Sequence, residues 1–357
     1  MIRTTKHILK YQTMYKSYWL RELFEIHKAE LNCYVEALLL NELPIRKFLS
    51  SKYNTGVNIK HSQWKSVIYK QASEIIRGNG VNNEVKPNLR NFTIYLNEFL
   101  FDIEWKKGGE FDGFIRIRLP FTQKGIRHKS EGIPICLPFK HHAHSLKYKN
   151  WKLLKTVKLK VVNGNTYLYL LWEKDAKKLK KTGKTIGFDS GYNHLLSDST
   201  GKFHGSELKE IYEKLARKER GSKNYKQTLS FRDSKINEVV NKIPIKTYKE
   251  IIVEDLKNVK RNSKLSRKLN NKMQYWSYSK GINKLERLCE EHGVQFTKVN
   301  PAYTSQSCPK CGFTARSNRN LEKFLCGECG YENHSDTVGA INILNRGICG
   351  LSTTEMD

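Results

Sequence analysis

The chain has 357 residues, with 64 Lys+Arg against 35 Asp+Glu, a formal net charge of +29 at pH 7 and a mean hydropathy of −0.63. That length leaves room for two or three domains with real cores, and the charge favours a polyanionic partner, since binding phosphates releases their counterions. No apolar run approaches a membrane span and the N-terminal MIRTTKHILKYQTMYK lacks the apolar stretch of a secretory signal, so no membrane association and a cytoplasmic location are expected.

Residues 1–10 read as a short basic strand. Over 18–40 the apolar residues Leu20, Leu23, Phe24, Leu31, Tyr34, Val35 and Leu38 recur at helical spacing. A second helix carries Trp64, Val67, Ile68, Ala72, Ile75 and Ile76 on one face and stops at Gly78-Asn79-Gly80. The period then falls to two over 92–101 and 114–119. Val157, Leu159 and Val161 lead into the turn Asn163-Gly164, and 167–172 returns as the second arm of a hairpin. The outcome is a barrel-like β module of roughly 80 residues, with Arg116, Arg118, Lys158 and Lys160 on one side of their strands. His141, His142 and His144 read as an exposed loop.

The charged run 174–184 marks a domain boundary. Beyond it, Ile186-Gly187-Phe188-Asp189 is a short apolar strand ending in an acid, followed by a meander around Asp198 to Gly201. One long polar helix is expected over 207–240. Ile251-Ile252-Val253-Glu254 is a second buried strand ending in an acid, and Asp255 beside it points to the other face because strand side chains alternate. A basic run follows, in which Lys260, Arg261, Lys264, Arg267, Lys268 and Lys272 are candidate nucleic-acid contacts; a solvated loop is the competing reading. A helix over 278–291 ends at Gly293, and 294–299 is a further strand. Strand–strand–strand–helix–strand–helix–strand–helix is the order expected of an RNase H-like fold, in which chemistry gathers beyond the strand ends.

The strongest local signal is Cys308-x2-Cys311-x14-Cys326-x2-Cys329, with glycines at 312 and 330. Four thiolates at this spacing match one structural Zn2+ and leave no open position for catalysis. His334 is not needed as a ligand there, and Cys33, Cys136, Cys289 and Cys349 have no assigned role. Seven residues after Cys329 comes Asp336, at the start of a helix. Asp189, Glu254 and Asp336 are therefore the candidate catalytic residues. Phosphodiester hydrolysis needs an activated water and a stabilised leaving oxygen, and two Mg2+ ions on a few carboxylates meet both needs. Taken singly, Asp189 could be a turn residue and Asp336 a helix cap.

Together these residues resemble the TnpB family, transposon-encoded RNA-guided nucleases related to type V CRISPR effectors. The resemblance is carried by Ile186-Gly187-Phe188-Asp189-Ser190-Gly191, by Val253-Glu254-Asp255-Leu256, and by the zinc segment 303–312 with its approach through Trp276, Leu285 and Gly293. Asp336, Ala340 and Asn342-Ile343 carry the third motif. The chain departs from the family where Ser335 replaces the usual Arg before Asp336, and where Val338-Gly339 replace Asn-Ala. The resemblance covers 184–345 most closely. It implies an α+β multidomain protein. A wedge-type β-barrel (1–10 plus 90–175) would carry a helical recognition insert (11–89). A RuvC-like nuclease domain (184–303 plus 331–357) would carry the zinc-binding insert (304–330). It implies a guide RNA and target DNA as partners, an RNA-guided endodeoxyribonuclease activity, and a prokaryotic cytoplasmic protein associated with the nucleoid when acting on DNA. A nuclease-inactive RNA-guided DNA-binding regulator is the alternative within the same family.

Overall fold

In the computed structural model, which describes residues 1–10, 12–45, 59, 61–79, 85–106, 108–120, 134–256 and 275–350, the chain folds as two units, Met1–Asp175 and Ala176–Asp357. Unit 1 runs through β1 (Ile2–Ile8), α1 (Met14–Leu39), α2 (Ser62–Asn79), β2 (Ile94–Asn97), β3 (Phe101–Trp105), β4 (Gly113–Arg118), β5 (Pro134–Phe139), β6 (Lys152–Val162) and β7 (Asn165–Glu173). Helix α1 starts earlier than its apolar stripe indicates, because the Thr13 side chain accepts the Lys16 N–H and caps it. Its buried residues Leu23, Leu31, Tyr34, Val35 and Leu38 share one core with Trp64, Ile68 and Ala72 of α2 and with the inward residues of the strands.

The strands of unit 1 form two sheets, ordered β1-β7-β6-β2 and β3-β4-β5. The run 92–101, expected as one strand, is instead divided between them. A turn in which the Leu100 N–H donates to the Asn97 carbonyl at 2.9 Å separates β2 from β3. Strand β5 escapes the sequence pattern because it holds Pro134 and Pro138. It lies at a sheet edge, where a missing N–H is tolerated. The four cations expected on one side of their strands are divided between two sheets. Arg116 and Arg118 lie on β4, whereas Lys158 and Lys160 lie on β6. The histidines at 141, 142 and 144 do lie in a loop, where His141 stacks on Trp105.

Unit 2 opens with β8 (Lys184–Asp189), β9 (Leu196–Asp198) and β10 (Phe203–His204). The polar stretch expected as one helix is two, α3 (Leu208–Ala216) and α4 (Lys223–Asn241). Gly221 takes φ +87° between them, and Ser222 caps α4 by accepting the Tyr225 N–H. Then come β11 (Tyr248–Glu254), α5 (Tyr278–His292), β12 (Gln295–Val299), three short strands β13 (Arg319–Asn320), β14 (Lys323–Leu325) and β15 (Glu332–His334), and α6 (Ser335–Ile348). The five-stranded sheet is ordered β10-β9-β8-β11-β12, with β8, β11 and β12 parallel, β9 antiparallel to β8, and β10 antiparallel to β9.

Strand β11 is buried on both faces, which is why Ile-Ile-Val reads as a continuous apolar run. Ile251 and Val253 join the core made with α3, α4 and α5, while Ile252 packs with Val299 and Ile343 on the α6 side. Two glycines bring α6 close to the sheet. A side chain at Gly187 would strike the Ala340 carbonyl and lie 2.8 Å from the Leu344 nitrogen, and one at Gly347 would strike Ile252. By the alternation of side chains, Asp189 shares the face of Gly187, and Glu254 shares that of Ile252. Both acids are thereby directed to the face that α6 covers.

Candidate active site and thiolate centre

Strands β8 and β11 run parallel with Phe188 paired to Val253, so the acids one step beyond each pair end their strands side by side. Asp336 lies in the first turn of α6 and is 8% exposed. It is not the cap residue. That place is taken by His334, whose side chain accepts the Asp336 N–H at 3.2 Å. Asp189, Glu254 and Asp336, far apart in sequence, line one cleft of about 410 Å³ together with Ser190, Gly191, Trp276, Thr304, Arg319 and Glu322. Asp255 is not among the lining residues.

The cleft is electrostatically tense. Burial pushes the Asp189 carboxyl well above the usual carboxylate range, and the neighbouring charges of Glu254 and Asp336 push it further; Arg319 opposes them. Burial also raises Glu254, against the Thr304 hydroxyl that donates to it and the nearby Arg346 and Arg319. An all-oxygen set of crowded, buried carboxylates suits hard divalent cations, which would relieve the repulsion that folding builds in.

Two participants escaped the sequence reading. Arg319, from β13, reaches Asp336 with Nη2 at 3.3 Å from Oδ1. Thr304 orients Glu254. Neither belongs to a periodic pattern, and Arg319 lies in Ser-Asn-Arg-Asn, which carries no local signal. The six basic candidates at 260–272 lie outside the described residues.

The four cysteines converge with every Sγ within 4.8 Å of the others. Cys308 and Cys329 approach to 3.6 Å, as do Cys311 and Cys326. Tetrahedral zinc with bonds of ~2.3 Å places its sulfurs about 3.8 Å apart, so the four thiolates fit that ion. The two knuckles share one construction. Gly312 donates to the Cys308 carbonyl and Gly330 to that of Cys326, with φ of +81° and +69°, which explains the glycine after each second cysteine. Buried Asn318 ties them together, donating to the Gln306 and Phe313 carbonyls and accepting from Gly327.

The thiolate unit also holds the start of α6. The Ser335 N–H donates to the Glu322 carbonyl and its hydroxyl to that of Leu321, while the Asn342 amide donates to the Thr304 and Ser307 carbonyls at 2.7 Å each. Val338 is fully buried against Cys308, Phe324 and Cys326. At Gly339 an added Cβ would lie 2.8 Å from Asp189 Oδ2. The unusual residues at 335, 338 and 339 thus each have a packing reason, and the carboxylates keep their places.

The Cas12f1-like, TNB domain family matches residues 278–343. The chain is 26% identical over 337 residues to InsQ of Escherichia coli (strain K12), provisionally named an RNA-guided DNA endonuclease, covering 82% of this chain and 80% of that one. It is 32% identical over 95 residues to the TnpB-like protein aq_aa05 of Aquifex aeolicus, covering 26% of this chain and 31% of that protein. Over 78 residues it is 36% identical to MJ0856.1 of Methanocaldococcus jannaschii, provisionally named a transposase. That match covers 20% of this chain and 72% of the relative. Among solved structures, the protein of a Cas12f1–sgRNA–target DNA complex matches with a TM-score of 0.57 at 16% identity, over 93% of this chain and 82% of that one, a likeness of fold.

Proposed function

The chain belongs to the TnpB family, and on that premise we propose that it is an RNA-guided DNA endonuclease cutting at Asp189, Glu254 and Asp336. The observation that carries this reading is the convergence of three carboxylates, from two parallel strand ends and a helix start, in one cleft beside an arginine. On this reading the five-stranded sheet with its helices is the RuvC-type, RNase H-like nuclease domain, with 304–330 as its zinc-binding insert. Unit 1 is the wedge barrel, 1–10 plus 90–175, with the recognition insert 11–89. The relatives' names and the complex carry RNA guidance and DNA cleavage, and the +29 charge suits a protein loaded with both.

The carboxylates hold two divalent cations of the magnesium class, which when bound activate water and stabilise the leaving oxygen. Thr304 fixes the rotamer of Glu254. Arg319 contributes positive charge where the pentacoordinate phosphate develops negative charge. Cys308, Cys311, Cys326 and Cys329 hold one zinc ion that keeps Arg319 and Asp336 in register. Lys260, Arg261, Lys264, Arg267, Lys268 and Lys272 remain proposed nucleic-acid contacts.

The test is to purify the chain with its bound RNA, sequence that RNA, and assay matched DNA with Mg2+ or with EDTA. A discrete RNA and Mg2+-dependent cutting, reduced on the order of 10³-fold by Asp189→Asn, are expected. Absence of a discrete RNA sinks the guided reading. A discrete RNA with sequence-matched binding and no cutting establishes the nuclease-inactive regulator instead.

A further inference from the structure

A second group of ligating side chains lies beside the carboxylate cleft. Donor atoms of His194, Glu322 and His334 all fall within 4.8 Å of one another, and Glu322 also lines the cleft. These residues come from the loop after β8, the β13–β14 turn and the end of β15, so tertiary structure alone assembles them. The group is braced. Asn193 donates to Glu322 Oε1 at 2.6 Å, and His194 Nδ1 bonds Ser206 Oγ at 2.8 Å. Both imidazoles pack on Phe203, with ring centroids 4.3 and 4.6 Å away. Supporting bonds to the second nitrogen of a histidine and to a carboxylate are the usual setting of a metal ligand.

We propose that His194, Glu322 and His334 form a second metal site, for a zinc-class divalent ion, whose occupancy is linked to Asp336. Two imidazoles and a carboxylate select zinc over magnesium, which prefers oxygen donors, and three protein ligands leave one position open. With Nδ1 of His194 donating to Ser206, its Nε2 lone pair is available. Tetrahedral zinc with bonds of ~2.05 Å needs donors about 3.3 Å apart, a spacing that small side-chain rotations supply. His334 is the linkage. Its Nδ1 accepts the Asp336 N–H, a tautomer that keeps the proton on Nε2. Ligation through either nitrogen gives up this long cap bond and frees the backbone of Asp336. Zinc binding and the position of a proposed catalytic carboxylate are coupled through one side chain.

The full chain is dialysed to equilibrium against micromolar Zn2+ with Mg2+ in large excess to fill the carboxylate cleft, and its zinc is counted, with Co2+ in parallel to separate the intense charge-transfer bands of a thiolate site from the weak bands of a nitrogen–oxygen site. Two zinc ions per chain are expected in the unaltered protein. Glu322→Gln and His194→Asn should retain the thiolate ion and bind the second roughly tenfold or more weakly. Glu322 is exposed, so Glu322→Gln is the deciding variant, and its thiolate cobalt spectrum reports that the ribbon is intact. One zinc per chain in the unaltered protein, or second-ion affinity unchanged in Glu322→Gln, overturns the proposal. Counting metal requires no cleavage, so this outcome is separate from the fate of the proposed nuclease activity.

Discussion

Asp189 shows how a single residue is held under strain by its neighbours. Its strand was visible as an apolar run closing on an acid and its grouping with Glu254 and Asp336 was expected, but the burial that does most to raise its pKa, ahead of those two charges, arises only through the fold. Gly339 completes that environment from α6. Gly339→Ala would place a methyl 2.8 Å from Asp189 Oδ2, closer than such contacts allow, so the carboxylate must shift. Cleavage should fall roughly tenfold with little loss of stability, measured by single-turnover rates alongside thermal melts. An unchanged rate would show that this contact does not position the acid.

Among the elements, α1 and α2 are joined by a polar contact in an apolar interface. Buried His27 lies 3.0 Å from Gln71 Oε1, while Gln71 donates its amide to the Thr93 carbonyl at 2.7 Å. The Gln71 oxygen is then the acceptor, so His27 Nε2 carries the proton and the ring is neutral. Burial lowers its pKa from 6.5 to about 4, partly opposed by the Gln71 bond. Between those values the unfolded chain binds the extra proton and the folded one does not, so stability is complete above pH 6.5 and declines as pH falls toward 4. Between pH 7 and pH 4.5 the loss expected from His27 is ~2 kcal/mol, a contribution that His27→Leu should remove in denaturant titrations at those two pH values. A pH dependence unchanged in the variant would refute this assignment.

The thiolate unit makes the corresponding link in unit 2. Cys326→Ser, or strong chelation, should free the start of α6, since Ser335 and Asn342 are bonded to that unit. New proteolytic cuts within 304–340 and loss of cleavage are expected together. If cutting persisted after zinc was removed, the ribbon would not be what holds Asp336 in place.

For the molecule as a whole, the excess of cations sets the mode of binding. An RNA or DNA complex making 6–10 phosphate contacts loses about 10³–10⁵ in affinity between 50 and 200 mM salt. The chain's +29 charge places it in that regime, and filter-binding or mobility-shift titrations across that range should show at least the lower figure. A shallow slope would mean that few of the lysines meet phosphate. No helix among the described residues is long and apolar enough to cross a membrane.

By itself the sequence determined what depends on neighbours along the chain. Helical stripes, the Asn163-Gly164 hairpin, acids closing apolar strands and the spacing of the cysteines are all local patterns written in residue type. Local reading failed where chain geometry overrode composition. It missed the proline-bearing edge strand β5, the Gly221-Ser222 break between α3 and α4, and the division of 92–101 between two sheets. Tertiary structure alone decided which side chains meet. Arg319 on Asp336, Thr304 on Glu254, and the grouping of His194, Glu322 and His334 join residues from 12 to 140 positions apart, as the sequence numbers show. Such contacts depend on which face of a strand or helix each residue occupies after packing, and no pattern of a few neighbouring residues encodes that.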